Sequence, residues 1–231
     1  MFLKYLPLAG LLALAGCGTG PAADDTGITA ITTDMSAEGD SAATTLPYLG
    51  AEGRKPVPAF SLPDQDGKVV SDKSLAGKVY VTNFFFATCP GICPKMQSEL
   101  LKVYKQYQAD PRVVFLSFTI DPEHDTQPVL ADYARRLGVA PGTNWRFLHT
   151  PDRPAAYKLA SNYLAAAQTD TQAPGGIAHS GALALVDDQG FVRGTYDGLN
   201  PQQTALLLRQ LPLLLKEVKA RPAAAPATAA R

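Results

Sequence analysis

The residues most able to do chemistry in this chain of 231 residues are three cysteines and three histidines. Cys89 and Cys93 stand in Cys89-Pro90-Gly91-Ile92-Cys93-Pro94, separated by three residues. Where such a segment is helical, positions four apart share a face, so both sulfurs would meet at a helix N-terminus. The unpaired amides and the dipole at that end favour a thiolate over a thiol. Three uses are open to such a pair: a structural disulfide, a dithiol redox couple or a metal site. A bridge closing so short a loop constrains the unfolded chain little, which makes stabilisation a poor reason for the spacing. The usual redox motif has two intervening residues rather than three. Two thiolates alone suit Cu(I), whereas Cu(II) requires a harder donor such as imidazole.

The histidines differ in their settings. His179 lies in Gly175-Gly176-Ile177-Ala178-His179-Ser180, read as a flexible loop directly before a strand, and it is the candidate third ligand. His124, in Asp121-Pro122-Glu123-His124-Asp125, reads as a solvated loop side chain, and His149 as a packed or capping residue. Met96 could offer a thioether, but its helical spacing with Leu100 assigns it to the core. Zinc would normally want a fourth protein ligand in a structural site, and none is evident. No Ser-His-Asp set, phosphate loop or paired-carboxylate motif is apparent.

The elements that would position these residues follow from the hydrophobic pattern. Residues 60–62 and 68–70 flank the polar turn Asp64-Gln65-Asp66-Gly67, a hairpin signal. Residues 79–86 form a β-branched and aromatic run suited to a buried strand, which leads straight into the cysteine segment. Residues 95–108 then carry Met96, Leu100, Val103 and Tyr107 at helical spacing. A strand over 112–120, a helix over 126–137 ended by Gly138, a short strand over 145–148 and a helix over 152–167 follow. Strands over 183–186 and 191–196 form a hairpin across Asp187-Asp188-Gln189-Gly190, and a helix over 201–218 closes the domain. Strands alternating with helices predict an α/β sheet covered on both faces. A strand ending in a cysteine turn that opens a helix narrows this to a thioredoxin-like fold.

Lysine plus arginine and aspartate plus glutamate each number 21, and this balance gives no support for a nucleic-acid partner. A hydrophobic content of 46% is enough for one closed core. Residues 1–16 hold an early Lys4 and a short apolar run, too short to span a bilayer, and read as a signal peptide. The run ends in Leu14-Ala15-Gly16-Cys17, the pattern of a lipobox in which Cys17 is acylated. Removing Cys17 to lipid leaves one cysteine pair, an even count suited to an exported protein. Residues 17–53 then form a lipidated cysteine and a polar tether, 54–219 the ordered domain, and 220–231 an Ala/Pro tail.

Three segments together resemble the Sco/SenC family of copper-binding assembly factors. They are Phe84-Phe85-Phe86-Ala87-Thr88-Cys89-Pro90-Gly91-Ile92-Cys93-Pro94, Phe118-Thr119-Ile120-Asp121-Pro122-Glu123-His124-Asp125-Thr126, and His179-Ser180 before the hairpin. The resemblance covers about residues 55–217. It implies a thioredoxin-like fold and copper, as Cu(I) and Cu(II), held by Cys89, Cys93 and His179. It also implies a metallochaperone role in maturing the dicopper centre of cytochrome c oxidase subunit II, or in loading another periplasmic copper acceptor. The alternative is a thiol-disulfide oxidoreductase or redox sensor working through Cys89 and Cys93 as a redox-active pair. The chain departs from the family at Ala178, usually acidic, and at His124, usually arginine. The first removes a neighbour that could orient the histidine.

The lipobox yields a direct expectation. Mass spectrometry of the membrane fraction should find Cys17 acylated as the first mature residue, on a protein anchored to a membrane of the cell envelope. A soluble mature chain with an unmodified or different N-terminus would contradict it.

Overall fold

The computed structural model describes Leu46, Pro47, Leu49 and residues 56–220. The expected signal peptide, Cys17 and the tail beyond 220 lie outside the described residues.

Strands β3 (Val79–Phe85) and β4 (Val113–Thr119) are buried at every position. Continuous apolar runs are what a parallel pair covered on both faces demands. They pair in parallel from Val79 opposite Val113 to Phe85 opposite Thr119. Strand β5 (Trp145–Leu148) extends the sheet in parallel beyond β4, and β8 (Ala182–Val186) and β9 (Val192–Asp197) extend it antiparallel beyond β3. The resulting order is β5-β4-β3-β8-β9. A separate hairpin of β1 (Ser61–Pro63) and β2 (Val69–Ser71) forms where the polar turn predicts it.

Four helices complete the fold among the described residues: α1 (Cys93–Tyr107), α2 (Gln127–Leu137), α3 (Arg153–Asn162) and α4 (Pro201–Ala220). The alternation of β3 shows how they divide between the sheet's faces. Asn83 donates to Met96 Sδ of α1 at 3.9 Å, and the Phe85 ring meets Tyr133 of α2 at 5.0 Å. On the other face Tyr80 and Phe84 pack on Tyr163, the residue that ends α3. This is the thioredoxin-like α/β arrangement expected from the sequence. Among the described residues no helix is long and apolar enough to cross a membrane.

A polar thread runs through the core beneath α1. Trp145 Nε1 donates to Ser117 Oγ at 2.9 Å, and Ser117 Oγ donates to Asn83 Oδ1 at 2.6 Å, joining β5, β4 and β3. All three side chains are fully buried. Gln65 works at the edge of the sheet, where Phe147 N donates to its Oε1 at 2.8 Å and its Nε2 donates to the Trp145 carbonyl at 3.4 Å. A side-chain amide thus satisfies edge-strand backbone groups that would otherwise invite another strand.

Two segments differ from the sequence reading. The helix expected over 152–167 ends at Asn162, because Leu164 adopts a positive φ of 59° and Ala165 N bonds back to the Ala160 carbonyl. Residues freed by that stop form β6 (Ala167–Thr169), which pairs antiparallel with β7 (Ile177–His179). The stretch read as a flexible histidine loop is therefore a paired strand. Three-residue strands are too short to show an alternation in sequence. The packed chain also reaches further toward the N-terminus than residue 54. Leu49 N bonds the Val192 carbonyl at 2.8 Å, and the buried Arg193 guanidinium binds the carbonyls of Leu46 and Pro47 as well as Asp187 and Glu217.

Ser117→Ala tests the polar thread. It leaves the buried Asn83 oxygen and Trp145 N–H short of a partner, so chemical denaturation should show a loss of roughly 1–3 kcal/mol. An unchanged midpoint would mean that the thread contributes nothing net.

Candidate metal centre

Strands β3 and β4 run in parallel, so their C-terminal ends lie side by side, which is where sites gather in open α/β sheets. The chain leaves β3 at Phe85 and turns sharply, with Cys89 N donating to the Phe86 carbonyl at 3.2 Å. Cys93 is the first residue of α1, and Pro94 follows at a position where a helix needs no N–H from it. Cys89 itself lies in the turn before the helix rather than on its face. The pair is brought together by the turn folding back onto the helix N-terminus.

His179 arrives from the other side on β7. Its Nε2 lies 3.2 Å from Cys93 Sγ and 3.9 Å from Cys89 Sγ, and the three ligand atoms all fall within 4.8 Å of one another. Donors with bonds of 2.0–2.3 Å to one ion in a trigonal plane stand about 3.8–4.0 Å apart, so a small outward movement of Cys93 would admit a metal. The ring is oriented by its other nitrogen. Nδ1 lies 3.1 Å from the Ser180 carbonyl, which can only accept, so Nδ1 carries a proton and Nε2 is the atom turned to the sulfurs. Ser180 is fixed in turn, its N–H donating to the Ala166 carbonyl at 2.9 Å and its Oγ accepting from Ala166 N at 3.0 Å. Backbone thus performs the orienting that a carboxylate at position 178 would otherwise supply.

The histidine segment is pressed onto the cysteine turn. Phe86 meets the His179 ring edge to face at 5.8 Å between centroids. Gly175, at φ +78°, approaches so closely that a Cβ there would stand 2.8 Å from Phe86 Cε2. Only glycine combines that dihedral with that approach.

Both cysteines are free thiols, Cys93 buried and Cys89 half-buried. The hydrogen bond from the Cys93 thiol, helped by that from the His179 side chain and by the backbone N–H groups of Cys93 and Gly91, draws the Cys89 pKa down to about 4 against the opposing effect of burial. Donating that bond and being buried push Cys93 in the opposite direction. In the metal-free state the pair therefore carries one negative charge, on the sulfur nearer solvent.

Sequence reasoning passed over Asp125. Its carboxylate is fully buried and accepts from Ala87 N, at 3.1 Å to each oxygen, and from Thr119 Oγ1 at 2.5 Å. It ties the loop after β4 to the cysteine turn after β3. Burial pushes its pKa up to about 6, against the pull of those hydrogen bonds. The segment Asp121 to Thr126 stood out in sequence, but the backbone group that Asp125 holds lies 38 positions away and left no local signal. The remaining candidates stay outside the cluster. His124 is exposed and pairs with Asp121 at 2.8 Å, sharing that carboxylate with Arg153. His149 Nε2 bonds the carbonyl of Pro122, in the turn after β4, at 3.1 Å, and Met96 is fully buried in the core.

Comparison with known proteins places the chain among relatives. The SCO1/SenC family model matches residues 50–210. A SCO1 protein homolog of Bacillus subtilis is 30% identical over 144 residues, 62% of this chain and 74% of its own. A SCO1/SenC family lipoprotein of Bacillus anthracis superposes with a TM-score of 0.62 at 25% identity, covering 70% of this chain and 95% of that one. Bradyrhizobium japonicum ScoI, solved with copper bound, gives a TM-score of 0.55 at 26% identity over 68% of this chain and 99% of its own.

The charge state of the pair has a measurable consequence. A lowered folded-state pKa adds stability above the ordinary thiol range near 9 and loses it as pH falls through about 4. The reduced, metal-free protein should show one thiolate absorbance per chain at neutral pH that disappears near pH 4, and Cys89→Ser should abolish it. A thiolate signal that appears only on raising the pH toward 9 would contradict the geometry.

Proposed function

Because the chain belongs to the SCO1/SenC family, we propose that it is a copper metallochaperone, holding Cu(I) or Cu(II) between Cys89, Cys93 and His179 and passing it toward the dicopper centre of cytochrome c oxidase subunit II. The observation that carries this reading is the convergence of two sulfurs with an imidazole Nε2 whose ring is oriented by the Ser180 carbonyl. Two soft sulfurs suit Cu(I), and the imidazole supplies the harder donor that Cu(II) needs. Copper displaces the Cys93 proton on binding, so affinity rises with pH until that thiol is no longer competing for the site. The copper-bound relative supports the choice of metal.

In this reading Cys17 carries lipid, the polar segment after it spans distance, and the domain works outside the cytoplasmic membrane, in the periplasm or at the cell surface. The intact lipobox and the lipoprotein relative support that placement.

A second reading rests on the same pair. One half-exposed thiolate beside one buried thiol is the arrangement of an attacking and a resolving cysteine, which favours thiol-disulfide exchange or redox sensing. The two roles are compatible, since a copper acceptor with thiolate ligands must be reduced before it takes metal.

His179→Ala separates them. Cu(II) charge-transfer absorption should be lost, Cu(I) binding weakened less, and dithiol exchange changed little. Oxidase assembly, followed in the same variant, should fall with Cu(II) binding. Intact Cu(II) binding would remove His179 from the site, and assembly that survives its loss would make the protein chiefly a reductase.

A further inference from the structure

Beside the cysteine turn lies a cleft of about 370 Å³ between α1 and α2, walled by Cys89, Phe86, Pro94, Gln97, Tyr133 and Arg136. Gln97 is 1% exposed, yet neither its Nε2 nor its Oε1 has a hydrogen-bond partner among the described residues. A buried amide left without partners costs free energy and calls for a ligand. Arg136, stacked over the Tyr133 ring and paired with Asp132, stands at the cleft as its cation.

We propose that this cleft seats an extended backbone segment of the copper acceptor protein, with the Gln97 amide pairing one backbone N–H and one carbonyl of that segment. The inference rests on the metallochaperone reading and adds the docking surface to it. An amide presents a donor and an acceptor side by side, the complement of a strand's backbone. The chain already uses this pairing once, where Gln65 binds the N–H of Phe147 and the carbonyl of Trp145. Direct exchange of copper requires an acceptor sulfur within bonding distance of the metal. Cys93 is buried while Cys89 and His179 are half-buried, so of the two sulfurs Cys89 is the one open to an incoming thiol, and it forms a wall of this cleft. In the transfer the two Cu–S bonds to Cys89 and Cys93 and the Cu–N bond to His179 break and two Cu–S bonds to acceptor cysteines form, copper remaining Cu(I) and the His179 nitrogen left free. The acceptor thiols release two protons, of which one returns to Cys93 and one goes to water.

The test compares wild type with Gln97→Leu in the full chain, reduced and loaded with Cu(I). Transfer is timed to a capped peptide with two cysteines separated by three residues, and separately to bathocuproine disulfonate, a Cu(I) chelator without a peptide backbone. Leucine is one atom shorter and apolar, and replacing an unpartnered buried amide by an apolar group removes its desolvation cost. Transfer to the peptide should slow by roughly tenfold, the loss of two hydrogen bonds, while transfer to the chelator stays within about twofold. Gln97→Met provides a second variant of similar length should leucine not be accommodated. Unchanged transfer to the peptide overturns the proposal, and so does equal slowing in both arms, which would place the effect at the copper itself. A wild-type protein that holds no Cu(I) in the chelator arm overturns the metallochaperone reading instead.

Discussion

Two thiolates held side by side repel, and a buried one also gives up the solvation that its charge would have in water. The site meets this constraint by letting one proton serve two sulfurs. Cys93, buried as the first residue of α1, keeps its proton and lends it to Cys89 as a hydrogen bond, so a single negative charge rests where backbone N–H groups and solvent can stabilise it. In the proposed copper state the cation takes over that office, and both sulfurs can then be charged because a positive ion lies between them. The same pair is thus stable without metal and ready for it. The sharing depends on distance, and the scaffold around the pair serves to hold that distance.

Three restraints converge on the turn that carries Cys89. From below, Asp125 holds the Ala87 N–H and links the cysteine strand to its parallel neighbour. From the side, Gly175 lets the histidine segment close onto Phe86 without a Cβ between them. On the far side, the pairing of β6 with β7 fixes Ser180, whose carbonyl in turn fixes the His179 ring. Asp125, Gly175 and Ser180 are not themselves candidate ligands. Ligands placed on rigid elements hold their geometry before metal arrives, which reduces the ordering needed on binding. The departure at Ala178 is accounted for in the same way, since a main-chain carbonyl occupies the place where a neighbouring carboxylate could act. At His124 the imidazole pairs with Asp121, while Arg153 of α3 supplies the guanidinium to that carboxylate.

The strands and the long helices were legible because their signals are local. Seven buried residues in a row at β3 and β4, Thr126 and Gly138 bounding α2, and Pro201 opening α4 all declare themselves in sequence. The donor set was legible too, because two cysteines four positions apart after a buried strand leave few alternatives. What sequence could not show depends on partners distant in the chain. Strand β7 exists through pairing with β6, and neither is long enough to have a pattern of its own. The early end of α3 comes from a left-handed Leu164, a conformation no propensity would assign to leucine. Asp125 looks like any loop aspartate until Ala87 is placed above it.

In the proposed function Cys89, Cys93 and His179 bind one copper ion together. Copper X-ray absorption on the Cu(II)-loaded full chain tests it most directly, because the scattering shell reports ligand type and number without reference to activity. The account predicts two sulfur scatterers at about 2.2–2.3 Å and at least one imidazole nitrogen at about 2.0 Å, bond lengths typical of thiolate and imidazole on a first-row ion. A shell of nitrogen and oxygen without sulfur would contradict it.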